Sequence, residues 1–545
     1  MHSMRSIRAV VGSAAIAALL LVTACCAHAA QLPAARFTSP VEFTILHTSD
    51  IHAHLMPFDC ASGTAMGGYA RMKAYRDHLA ASGKQIVMLS SGDVFQGTLF
   101  FRFYRGIPDA TFMSQMGYAA MAIGNHEFDA NQDALFEAFR DAKFPILSAN
   151  LRFGNSKSLT DLVKPSTIIS IPVGHETFKL GIIGITDEQL ENDVPKAFLK
   201  GIRVEDAVTA LTREVKHLKE QGCDAIFALT HIGWDRDLEL ADKFPEITGF
   251  LGGHSHVFAD PPFVKSVGCS HQFVSQPGEF GNFVSRLDLR FEPAGTGMRC
   301  AVTSAGLVPL NSDMPEDPSI KSIVDQLWKK VEEKTSEKLA ETVTRLDGDR
   351  PLVRSRETNL GNLVADSFVQ ALPCQIALIN GGGIRSSIPA GPVKIADCLN
   401  VMPFDNYLSR LTMTGNTLQR IFEQARKDMM VTPGYGGFLQ VSRGFNVRYT
   451  SAGVDLSYLG RPIEPETVYT VVTNDFLANG GNGLPQFTEC LSSETSSIIC
   501  ADALMKHVKA LQSIDARVEG RIERNIPIAK FRSPGQRLRI PRPID

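Results

Sequence analysis

Side chains that can bind metal recur in five short groups through the first half of the chain. Asp50 and His52 stand in Thr48-Ser49-Asp50-Ile51-His52, and Asp93 follows Ser91-Gly92. Asn125, His126 and Asp129 lie within Gly124-Asn125-His126-Glu127-Phe128-Asp129. His231 follows Thr230, and His254 and His256 close Gly252-Gly253-His254-Ser255-His256. This mix of carboxylate, imidazole and carboxamide donors suits Zn²⁺, Mn²⁺ or Fe²⁺ better than Ca²⁺. Two such cations about 3.5–4 Å apart need a carboxylate between them, and Asp93 is the best candidate. A histidine on its own is more often a surface or core residue; His54, His78, His175, His217 and His271 are read that way. Five groups in series are not explained so simply.

What precedes each group explains why they should meet. Val41–His47, Gln85–Leu89, Ala119–Ile123, Ala225–Leu229 and Ile247–Leu251 are short apolar runs that read as buried strands, and each ends on one of the groups. Leu180–Ile185 is a further strand, while Gly68–Ala81 and Val204–Gln221 have helical spacing. Open α/β folds bind ligands outside the carboxyl ends of their strands, so the five groups are expected to converge. Glycines 92, 124, 252 and 253 allow close backbone approach beside them.

At 545 residues the chain is long enough for two or three domains. A charged, glycine-free stretch, Pro315–Glu341, reads as a connecting helix. A second α/β segment then runs to about Pro527, followed by a Pro- and Arg-rich tail. The net charge is −3 with no basic block, which gives no sign of a nucleic-acid partner. Arg5 and Arg8, the apolar run Ala9–Val22 and Ala27-His28-Ala29 form an export leader too short to be a good membrane span. Val22-Thr23-Ala24-Cys25 offers a second reading, a lipobox that anchors the chain through Cys25. Eight cysteines follow the leader: Cys60, Cys223, Cys269, Cys300, Cys374, Cys398, Cys490 and Cys500. An even count in an exported chain suggests disulfides, with Cys490–Cys500 and Cys374–Cys398 as local guesses.

The second segment contributes a different chemistry. The apolar strand Ile376–Ile379 leads into Asn380-Gly381-Gly382-Gly383-Ile384-Arg385, where a glycine turn and a guanidinium together could seat an anion. Arg354 and Arg356 precede Asn359-Leu360-Gly361-Asn362-Leu363. Met402-Pro403-Phe404-Asp405-Asn406 and the stretch Asn474 to Asn482 each carry a phenylalanine, Phe404 and Phe476.

Asp50-x-His52, Gly92-Asp93, Gly124-Asn125-His126-Glu127, His231 and Gly253-His254-x-His256 resemble the calcineurin-like metallophosphoesterases. With the second-segment motifs, residues 42–525 resemble the 5′-nucleotidase / UDP-sugar hydrolase family. The resemblance implies an α/β chain with an N-terminal four-layer α/β/β/α domain, a connecting helix and a C-terminal α/β substrate-binding domain. Its boundaries are expected at 1–29 for the leader, 40–312, 313–345, 346–528 and 529–545. It further implies two divalent ions, Zn²⁺ or Mn²⁺, one on Asp50, His52, Asp93 and His256, the other on Asp93, Asn125, His231 and His254. His126 and Asp129 would be the catalytic dyad. Arg354, Asn380, Gly382, Arg385, Phe404, Asn406, Phe476 and Asn482 would bind the nucleotide, with the two phenylalanines sandwiching the base. The family carries Asp where this chain has Asn482, so ribose is expected to be distinguished less sharply from other sugars.

The expected activity is an exported 5′-nucleotidase. UDP-sugar or nucleotide pyrophosphate hydrolysis, 2′,3′-cyclic phosphodiesterase activity and thiosulfohydrolysis are rivals on the same metal site. An inactive nucleotide-binding surface protein is the rival of another class, although every ligand and the dyad are in place. The family's domains rotate between open and closed forms, and Pro315–Glu341 would be the joint.

Overall fold

The computed structural model describes residues 37–528 except 60–64, 155–156, 195–197 and 296. The leader, Cys25, Cys60 and the tail from 529 lie outside the described residues.

Residues 41–309 build two stacked sheets. The first has seven strands, in the order Gly297–Pro309, Phe283–Ala294, Val41–Thr48, Ile86–Ser90, Tyr118–Ala122, Ile146–Leu147 and Val163–Lys164. The second has six: Phe263–Val267, Ser270–Ser275, Gly249–Leu251, Ala225–Thr230, Glu176–Ile185 and Ser166–Val173. The central strands Val41–Thr48, Ile86–Ser90 and Tyr118–Ala122 run parallel, as do Glu176–Ile185, Ala225–Thr230 and Gly249–Leu251. Their carboxyl ends therefore point to a common edge. Central strands buried on both faces read as continuous apolar runs. Ile45, Leu89, Ala122, Ile182, Phe227, Leu251 and Phe273 fill the space between the sheets. Helices Tyr69–Ala81 and Ile107–Met116 cover the outside of the first sheet, and Ala207–Glu220 and Trp234–Lys243 cover the second. The result is the expected four-layer α/β/β/α arrangement.

The connecting helix is shorter than the sequence suggests. Asp317 caps it, its side chain accepting from Ser319 N at 3.1 Å and Ile320 N at 3.0 Å, and the helix runs Pro318–Thr335. Lys338–Thr342 is a strand instead, paired with Gly391–Lys394 and Ser513–Ile514. Pairing overrides local helical spacing here, because Ala340 and Thr342 face a buried interior. Trp328 packs against the cores on both sides of the helix.

The C-terminal half centres on a five-stranded sheet, Leu439–Val441, Ile376–Asn380, Val468–Asn474, Tyr407–Thr414 and Ser492–Ile499. Helices Asn359–Ala371 and Cys500–Leu511 pack on one core, and Gly415–Val431 on another. Leu99, from the N-terminal half, is buried in the first of these cores. No disulfide forms among the described cysteines, which corrects both local guesses. Cys500 sits in one C-terminal core while Cys490 packs against the other. Cys398 is buried among apolar neighbours, and burial pushes its thiol up to about 12.

Candidate active site

Each of the five groups begins where its strand runs out. Asp50, His52, Asp93, His254 and His256 all have positive φ, between 51° and 75°. Left-handed backbone at non-glycine residues costs on the order of 1–3 kcal/mol each and persists where function requires it. The tight turns leave no room for side chains at two glycines. A Cβ at Gly124 would lie 2.2 Å from Asp93 Oδ1, and one at Gly253 would lie 2.1 Å from Ser49 Oγ.

The turns bring the donor atoms together. Asp50, His52 and His256 offer one cluster, and Asp93, His231 and His254 another, with the donors of each within 4.8 Å of one another. His231 Nε2 lies 3.0 Å from Asp93 Oδ2 and 3.9 Å from Asp50 Oδ1. His256 Nε2 lies 3.3 Å from Asp50 Oδ1, and His52 Nε2 lies 3.9 Å from Asp93 Oδ2. Asn125 Oδ1 meets His254 Nδ1 at 3.0 Å. Asp93 thus lies between the two clusters, the position a shared ligand needs.

Two observations show that this donor set fits divalent cations. His231 Nε2 is buried with no well-formed hydrogen bond, although carboxylate oxygens face it. The outer ring nitrogens are anchored, His231 Nδ1 to Ser91 O at 2.6 Å and His52 Nδ1 to Phe95 O at 3.1 Å. Such anchoring fixes the tautomer and aims the other nitrogen inward. Burial alone would raise the Asp93 carboxyl, but His231, His126 and His52 outweigh it and hold it well below the usual range. His231 is raised to about 10, burial being overcome by Asp93 and Asp50.

Beside the clusters, the short turn His126–Phe128 carries Asp129 back over His126, and Nδ1 meets Asp129 Oδ2 at 2.6 Å. The His126 amide also donates to Asp93 Oδ1 at 2.9 Å. Burial opposes the imidazolium, yet Asp129 and Asp93 raise its pKa above the ordinary value. With Nδ1 engaged, Nε2 is the nitrogen left to act on a substrate.

A cavity of about 990 Å³ joins these groups to the C-terminal half. Asp93, Asn125, His126, Asp129, His254 and His256 line it from one side. Arg354, Asn380, Gly382, Arg385, Phe404, Asn406, Phe476 and Asn482 line it from the other. Asp50, His52 and His231 lie buried behind the wall. Phe404 stacks near His126 with ring centroids 6.3 Å apart, and the Arg385 guanidinium lies 5.8 Å above the Phe404 ring. Asn380 donates to Asn482 Oδ1 at 2.8 Å and accepts from Asn474 at 3.0 Å, a row of three carboxamides.

Four residues with no role assigned from sequence also belong here. Glu127 accepts from the backbone of Gly124, Val94, Asp93 and Phe95 at 2.7, 2.8, 3.0 and 3.3 Å, tying two of the turns together. Glu279 pairs with His256 Nδ1. Arg350 reaches across from the C-terminal half to His256 Nδ1 at 2.9 Å and lines the cavity with Arg354 and Arg385. Tyr435 donates to the Asn482 carbonyl at 2.8 Å. Burial and the neighbouring guanidinium of Arg350 push Arg385 down to about 10. Arg350 stands four residues before Arg354, a spacing that could have drawn attention to it; Glu279 and Tyr435 carry no local signal.

Residues 43–258 match the calcineurin-like phosphoesterase family, and residues 336–489 match the 5′-nucleotidase C-terminal domain. Human 5′-nucleotidase is 31% identical over 535 residues, covering 88% of this chain and 91% of that protein. The trifunctional nucleotide phosphoesterase protein YfkN of Bacillus subtilis is 32% identical over 529 residues, covering 88% of this chain. This chain spans only 35% of that longer protein. Among solved structures, the 5′-nucleotidase precursor from Thermus thermophilus has a TM-score of 0.80 at 32% identity, covering 89% of this chain and 100% of that one. The chain belongs to the 5′-nucleotidase family, and through it to the metal-dependent phosphoester hydrolases.

Proposed function

We propose that this chain is an exported 5′-nucleotidase, converting nucleoside 5′-monophosphates to nucleoside and phosphate with two divalent ions, Zn²⁺ or Mn²⁺. The supporting observation is a cavity that has metal-capable side chains on one wall and guanidinium groups with two phenyl rings on the other. Asp50, His52, Asp93 and His256 would hold one ion, and Asp93, Asn125, His231 and His254 the other. Such a pair, when bound, polarises the phosphoryl group and acidifies a water molecule.

The chain's own residues do the rest. Arg354 and Arg385 grip phosphoryl oxygens, while Asn380 and the backbone at Gly382 border the same space. Phe404 and Phe476 take the base between apolar faces, which tolerates any base. Asn406 and Asn482 offer polar contacts to the sugar. His126, oriented by Asp129, places Nε2 against the charge that develops on the phosphoryl or leaving oxygen. A substrate bridging both walls is held at both ends, and domain closure about the connecting helix would commit it to reaction. We assign residues 40–312 to the hydrolytic unit, 313–345 to the joint and 346–528 to nucleotide binding. The leader at 1–29 supports export, with anchoring through Cys25 as its alternative. Among the described residues no helix is long and apolar enough to cross a membrane.

The test is product analysis. The metal-stripped chain is given Zn²⁺, Mn²⁺ or Mg²⁺ with AMP, ATP, UDP-glucose, 2′,3′-cyclic AMP and thiosulfate. Metal-dependent release of adenosine and phosphate from AMP is expected. Cleavage of UDP-glucose or the cyclic nucleotide with AMP untouched would overturn the substrate assignment.

A further inference from the structure

A sixth strand also ends on a carboxylate. After Glu176–Ile185 come Thr186 and Asp187, and the short helix Leu190–Asp193 brings Asp193 back beside them. The turn is well anchored: Asn150 Nδ2 donates to the Thr186 carbonyl at 2.8 Å, and the Thr186 amide donates to Asn150 Oδ1 at 2.9 Å. Asp187, Asp193 and His254 each offer one donor atom, all within 4.8 Å of one another.

Asp187 is 4% exposed. Its Oδ1 accepts from Gln189 N at 3.0 Å, but no N–H or hydroxyl donor among the described residues reaches the buried Oδ2, and the side chain faces the Asp193 carboxyl. A buried carboxylate oxygen without a partner is costly, so the position calls for a positively charged occupant. Asp193 and His254 are half-buried at the cavity wall, open enough to admit one. His254 Nε2 lies 4.0 Å from Asp193 Oδ2. That separation is too long for a hydrogen bond. It falls within the roughly 3.0–4.4 Å spanned by two ligands of one cation with bonds of about 2.1–2.2 Å.

We propose that Asp187, Asp193 and His254 Nε2 form a third divalent-cation site on the far side of the His254 ring from Asn125. Two carboxylate oxygens and one imidazole nitrogen suit Mn²⁺ or Mg²⁺, with waters from the cavity completing the shell. If Nδ1 serves the Asp93 cluster at the same time, the ring bridges two cations as imidazolate and releases one proton to solvent. A proton shared between the two carboxyls is the rival occupant. Because the site shares His254 with the proposed hydrolytic centre, ions and product are counted separately.

The full metal-stripped chain is dialysed against stepped free Mn²⁺, with bound ions counted and bound Mn²⁺ followed by electron paramagnetic resonance. Two ions are expected at low free Mn²⁺ and a third at higher concentration. Asp187→Asn combined with Asp193→Asn, checked for folding by circular dichroism, should lose the third ion alone. Asp193→Asn by itself covers the case in which the double variant does not fold, and should weaken the third ion by about tenfold or more. Saturation of the unaltered chain at two ions overturns the site, as does a third ion that survives substitution. Three ions without AMP turnover would sink the proposed function and leave the third site standing.

Discussion

At the scale of single residues, two side chains carry separable expectations. His126 meets Asp129 at 2.6 Å and lines the cavity without standing among the residues assigned to hold the ions. His126→Ala should lower kcat by about 10²–10³-fold, the usual worth of one donor aimed at developing charge, with bound metal unchanged. Metal analysis beside steady-state kinetics checks both halves. Asn482 has one of its two acceptor lone pairs engaged by Asn380 at 2.8 Å, which leaves one for a ribose hydroxyl. A carboxylate there has more acceptor capacity and a charge to strengthen it. Asn482→Asp should raise the ratio of AMP to deoxy-AMP turnover; an unchanged ratio means the position does not read the sugar.

At the scale of elements, the site depends on turns held in unfavourable backbone by their neighbours. Glu127 holds two of them, the turns at Asp93 and Gly124, since four amides converge on one carboxylate. Hydrogen bonds to a charged group are worth about 1.5–3 kcal/mol each. Glu127→Gln keeps the shape but sets an amide N–H₂ against amide donors. It should lower the melting temperature and weaken metal retention together. A thermal melt with metal analysis tests this, and loss of metal without loss of stability would contradict a clamping role. The connecting element shows the same dependence on neighbours, its last residues leaving the helix to complete a sheet.

At the scale of the whole molecule, the two halves are joined at the cavity. Helix Leu99–Tyr104 places Leu99 in the C-terminal core, and Arg102 and Arg105 contact Asp405 at 2.7 and 2.6 Å. Asp405 neighbours Phe404 and lines the cavity itself, so this clasp ties the relative position of the halves to the cavity wall that carries Phe404. These groups are partly exposed, and salt screens such pairs. Asp405→Asn should cost severalfold in kcat/KM at low ionic strength and little at high. Measuring kcat/KM against salt for both proteins decides it: a loss that does not change with salt would mean that Asp405 contacts substrate rather than holding the halves together.

The convergence of the five metal-capable groups was legible in the amino-acid sequence, because buried parallel strands announce themselves as apolar runs and their carboxyl ends share one edge. The His126–Asp129 spacing was legible for a similar reason, since three residues make one helical turn. The order of layers was legible through motif resemblance, as was the set of C-terminal residues that line the cavity. The contacts of Glu279, Arg350 and Tyr435 were not, because each meets a partner distant in sequence, and only packing sets those distances. The Cys490–Cys500 guess failed on the same ground: nearness in sequence placed the two together, and the fold put them in different cores. Local periodicity determines which segments are strands and which side chains stand at their ends. Long-range packing alone decides which of those side chains touch, how deeply they are buried and which are left without a partner.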